Sequence, residues 1–127
     1  MNREIKFRGK DLVTGKWCYG SYMPPFYDGK DPYIYMKEDC GNHCEYVSAQ
    51  VVEDTVGQYT GLKDKNGVEI YEGDIIMSKD SVGDDIYHEI FYEEKEGRFM
   101  AALNFNKEPS FGVSGLSQNW IDAFFAL

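Results

Sequence analysis

An Asn-Gly pair at positions 66–67, with apolar residues on both sides, constrains this chain more than any other feature. A tight reversal needs backbone φ > 0, which glycine adopts freely and asparagine better than most residues. Leu62 leads into the pair, and Val68, Ile70 and Tyr71 lead out of it. Glu72-Gly73-Asp74 then punctuates the chain before Ile75-Ile76-Met77, so residues 60–77 read as a hairpin followed by the entry to a new strand. This is a device of architecture, with no catalytic group in it.

The same alternation of apolar runs and turn residues continues through the rest of the chain. Ile5 and Phe7 alternate with Lys6 and Arg8 as in a half-buried strand. Strands are expected at Trp17 to Met23, Tyr33 to Met36, Glu45 to Val52, Ile75 to Ser78, Ile86 to Tyr92 and Arg98 to Phe105. Pro24-Pro25 stops the first of these, and Glu93-Glu94-Lys95-Glu96-Gly97 turns a later hairpin. Thr55 to Leu62 reads as an extended, kinked connection, and Asn104 to Gly115 as a loop. At the end, Trp120, Ile121, Phe124 and Phe125 share one helical face. Ser117 or Asn119 can cap such a helix, with Asp122 in its first turn. The expected class is all-β: two small intertwined β lobes with a short helical segment at the carboxyl end. One domain spans 1–127, with an amino-terminal lobe at 1–59, the central hairpin at 60–77 and a second lobe at 78–127 compatible with an SH3-like barrel.

Two motifs resemble a known family. The first is Arg3-Glu4-Ile5-Lys6-Phe7-Arg8-Gly9 with Gly15-Lys16-Trp17 and Tyr19-Gly20 behind it. The second runs from Asp54 through Gly57, Gln58, Tyr59 and Gly61 to Asn66-Gly67 and on to Glu72-Gly73-Asp74. In this order they resemble the YopX-like proteins of phages and prophages. The resemblance implies a phage or prophage gene, residence in the bacterial cytoplasm and a leaning towards homo-oligomers. It implies no particular chemistry.

Composition narrows the function classes. The formal charge is −9, yet the first sixteen residues hold five basic against two acidic, leaving −12 on the rest. Such a surface repels phosphate backbones, so nucleic-acid binding starts at a disadvantage. The possible edge for it is Lys6, Arg8 and Lys10, with the rings of Trp17, Tyr19, Tyr22, Tyr33 and Tyr35 as a stacking platform; core packing is the simpler use of those rings. Three cysteines cannot pair completely within one chain, which fits a reducing compartment. No apolar run is long enough to span a bilayer.

Cys40, His43 and Cys44 have the spacing of half a zinc site, with Cys18 or His88 as the remaining ligand. A second Cys or His pair is missing, so the reading adopted is a loop with reduced thiols, no metal and no cofactor. Asp64-Lys65-Asn66-Gly67 fails as a calcium loop, because Leu62 and Gly73 fall where carboxylates are needed. His43 and His88 sit in no nucleophile or metal motif, and no catalytic residue is assigned. Glu53-Asp54, Asp84-Asp85 and Glu93-Glu94-Lys95-Glu96 suit either solubility or mimicry of DNA towards a host protein. The chain is therefore read as a non-enzymatic interaction or assembly module. Its expected partners are further copies of itself, or a host or phage protein, with nucleic acid as the alternative.

Overall fold

The computed structural model describes residues 4–39, 41–42, 44–79, 82–103, 113–115 and 125–126. Its regular elements are strands, all paired antiparallel, and one 3₁₀ turn at Glu53–Thr55. The chain divides into a first unit, Met1–Tyr59, and a second, Thr60–Leu127.

In the first unit, β1 (Phe7–Lys10), β2 (Trp17–Met23), β3 (Tyr33–Asp39) and β4 (Cys44–Gln50) lie in the order β4-β3-β2-β1. The start of β5 (Gly57–Lys63) pairs with the other side of β1, Phe7 opposite Gln58 and Arg8 opposite Gly57. The far end of the sheet returns to its beginning. Asp11 and Val51 form a bridge, the Val52 N–H donates to the Lys10 carbonyl, and the Leu12 N–H donates to the Gln50 carbonyl. Apolar residues at every second position turn to one side, where Cys18, Ile34 and Val51 are buried with Phe7, Met36, Ala49 and Val56 against them. Gly9 and Gly20 are small for steric reasons. A Cβ on Gly9 would press into the Val51 side chain, and one on Gly20 would run into the Tyr35 backbone carbonyl.

In the second unit, β5 runs on into a hairpin with β6 (Glu69–Tyr71). Its loop is built around Asp64, which is 4% exposed. The Asp64 carboxylate accepts the N–H groups of Asn66 and Val68 at 2.8 Å each, and the Gly67 N–H donates to the Asp64 carbonyl. Gly67 supplies the positive φ, 82°, that lets a turn of this kind rejoin the strand. β7 (Ile75–Lys79), β8 (Asp85–Glu93), β9 (Arg98–Leu103), β10 (Val113–Gly115) and β11 (Phe125–Ala126) form a sheet in the order β10-β9-β8-β7-β11. Ile70, Ile76, Ile90 and Ala101 are fully buried in its core, with Leu62 packed on them.

Several expectations change. Phe125 and Ala126 are extended, paired with Met77 and Ile76, where a helical turn was expected. The open edge of β7 offers backbone partners that a solitary helical turn lacks, and pairing satisfies both chains. Residues 116–124, which carry the rest of the expected helix, lie outside the described residues. The connection at 55–62 is a true strand from Gly57, and the loop expected up to Gly115 holds β10 at its end. The sharp turn at Glu53–Thr55 was not foreseen; the Thr55 hydroxyl fixes it by donating to the Val52 carbonyl at 2.6 Å. Among the described residues no helix is long and apolar enough to cross a membrane.

Candidate binding surfaces on the first unit

The basic residues of the opening strand and the rings of the next strand come together. Alternation puts Arg8 and Lys10 on the face of β1 away from the buried Gly9. Register sets Arg8 opposite Tyr19 and Lys10 opposite Trp17. The Arg8 guanidinium lies 4.2 Å from the centre of the Trp17 ring, and the Lys10 ammonium 5.2 Å from the same ring. These are cation–π distances. Trp17 remains 39% exposed and Tyr19 45%. Lys6 is drawn elsewhere: its ammonium lies over the buried Tyr59 ring at 5.3 Å and pairs with Glu4 at 3.3 Å. Of the expected platform, Trp17 and Tyr19 are on this face, and register carries Tyr35 and Tyr33 onto it opposite Ser21 and Met23. Tyr22 packs on Phe7 with ring centres 5.6 Å apart, and Tyr35 is half-buried opposite Ser21.

Tyr33 belongs to a second feature that sequence reading passed over. Phe26 and Tyr27, just after Pro24-Pro25, are 68% and 74% exposed. Phe26 meets Tyr33 with ring centres 5.8 Å apart. Phe26, Tyr27, Lys30, Tyr33 and Gln50 line a shallow recess of about 290 Å³. Two large rings held at the surface beside a proline pair are the signal that was available for it.

The motif residues of the centre serve the backbone. Gly57 and Tyr59 are buried in β5, and Gln58 faces Phe7 across the strand pair. Gly61 has φ 85° and Gly73 φ 90°. Asp74 accepts the Tyr71 N–H through its carboxylate, and Gly73 donates its N–H to the Ile90 carbonyl. Glu72 and Asn66 complete the two turns. The turns thereby fasten β6, β7 and β8 to one another.

The remaining candidates are scattered. Cys40 and His43 lie outside the described residues, and Cys44 opens β4. Cys18 is buried, its thiol pushed up by burial and then by the nearby Asp11 charge, which keeps it protonated. Among the described residues no cluster of three or more His, Cys, Asp or Glu is arranged to hold a metal ion. Two of the acidic clusters have local partners: Asp85 pairs with Lys79 at 2.5 Å, Glu96 with Arg98 at 2.7 Å, and Glu93 accepts the Lys95 N–H.

His88 faces the interior of the second unit, opposite Ile76, and is 9% exposed. Burial holds its imidazole below the ordinary value of 6.5. The unfolded chain then binds the proton more readily than the folded one. Stability is full above the ordinary value and is lost as pH falls through it towards the lower folded value. The urea midpoint is expected to fall between pH 7.5 and pH 5.5, and His88→Leu to flatten that slope. An unchanged slope in the variant would remove His88 as the cause.

Comparison with known proteins adds two likenesses. The family model described as YopX protein matches residues 6–122. The crystal structure of protein EF1440 from Enterococcus faecalis is similar over 99% of this chain and 92% of its own. The two are 25% identical, with a TM-score of 0.55. No curated protein matches the chain.

Proposed function

The chain belongs to the YopX family, and from that premise we propose that it is a phage or prophage protein of the bacterial cytoplasm that works by contact, without turnover. Its partner is another protein chain, a second copy of itself first. The observation that carries this is the pair Phe26 and Tyr27, 68% and 74% exposed at the lip of a recess of about 290 Å³. Rings held in water beside a recess gain by leaving it, and a cluster of this kind marks an interaction site more often than an isolated exposed side chain does. The β4 edge adds to it, since Tyr46, Val47 and Ser48 bring neither proline nor lysine to discourage a further strand.

Light scattering over a concentration series tests the reading. The expected mass is a multiple of 14.6 kDa. Phe26→Ser with Tyr27→Ser is expected to weaken the assembly at least tenfold while circular dichroism stays unchanged. A wild-type mass of one chain throughout, or assembly untouched by the double substitution, would remove the self-association.

A further inference from the structure

We propose that the outer face formed by β1 and β2 binds single-stranded nucleic acid, with Arg8 and Lys10 taking phosphates and Tyr19, beside the Arg8–Trp17 stack, taking a base. This goes beyond self-association and rests on different residues. Charge is the first objection, since the whole chain carries −9. That charge is unevenly divided: the first unit holds seven basic against nine acidic residues, a net −2, and the second unit −7. Within the first unit the sorting continues by face. Among the described side chains of its strands, Arg8 and Lys10 share the outer face with Trp17 and Tyr19, while Glu38 and Glu45 alternate onto the opposite side. Beyond a Debye length of ~8 Å at physiological salt, other exposed carboxylates are largely screened.

The chemistry fits single strands better than duplex or acidic peptide. The half-buried Arg8 guanidinium is held over the indole at 4.2 Å, and the exposed phenol ring opposite Arg8 provides a flat surface beside it. Bases that are unpaired can lie on such surfaces, whereas paired bases cannot. Lys10, exposed and 5.2 Å from the same indole, stands where a backbone tracking the strand pair would pass. An acidic peptide would use the two cations and leave the rings in water.

Fluorescence anisotropy with labelled (dT)20 and (rU)20 in 50–200 mM salt, using the full chain, tests this. Measurable binding is expected at 50 mM salt, with tryptophan fluorescence partly quenched. Arg8→Gln with Lys10→Gln should lower affinity at least tenfold and reduce the salt slope by about 1.4, two phosphates at roughly 0.7 each. Tyr19→Ser should lower affinity by roughly 5- to 150-fold with the slope unchanged. Lys10→Gln alone, at an exposed position, serves if the double variant unfolds, and should reduce the slope by about 0.7. No binding at 50 mM salt, equal affinity for duplex, indifference to Tyr19→Ser, or tighter binding of poly-glutamate would each overturn the proposal. The light-scattering result bears on none of these outcomes.

Discussion

Gly20→Ala is expected to cost about 3 kcal/mol of stability, the upper end for overpacking a well-filled site. The added Cβ meets the Tyr35 carbonyl, a backbone atom, so no rotamer change relieves it. Relief requires β2 and β3 to separate near Ser21 and Tyr35, where they are paired. With a urea slope of about 2 kcal/mol/M, the midpoint falls by roughly 1.5 M. Gly15→Ala is the control. Gly15 has φ 72° and nothing within 4 Å of an added Cβ, so only left-handed strain of about 1 kcal/mol applies. A Gly20→Ala midpoint equal to that of Gly15→Ala would show that the close approach of the two strands does not hold in solution.

Asp64→Ala is the second large effect, about 2 kcal/mol. The carboxylate accepts two N–H groups at 2.8 Å from a position that is nearly buried, and bonds to a charged acceptor are worth more than neutral ones. Removing it strands the Asn66 and Val68 donors, although both residues are exposed enough for water to take part of the load. Asp64→Asn keeps one acceptor oxygen and should recover at least half of the loss. Equal midpoints for the two variants, measured in urea at pH 7, would mean that the side chain does not organise the loop.

These two residues show what the sequence makes legible. The Asn66-Gly67 reversal was readable because only certain residues tolerate positive φ, and β2 was readable end to end because its rings alternate before a proline pair. Asp64, by contrast, belongs to a run that looks like an ordinary charged loop, and its role depends on being buried. The pairing of Arg8 with Tyr19 and Lys10 with Trp17 depends on register. Register in turn depends on a turn in which Asp11 accepts the N–H groups of Val13 and Thr14. Periodicity misled at Phe125, where four apolar residues at helical spacing said less than the free edge of a neighbouring strand. The recess at Phe26 needed the pairing of β3 with β4, which sets Tyr33 opposite Gln50.

The place of β1 has a consequence during synthesis. Its inner edge is covered early by β2, but its other edge is met by residues much later in the chain. Lys10, for instance, donates its N–H to the Thr55 hydroxyl 45 residues on. At 5–20 residues per second a ribosome needs about 2–9 s to add that length. For those seconds the nascent chain carries an amphipathic strand with one bare side, and a chaperone that recognises extended apolar segments would find it there before the protein's own fifth strand does.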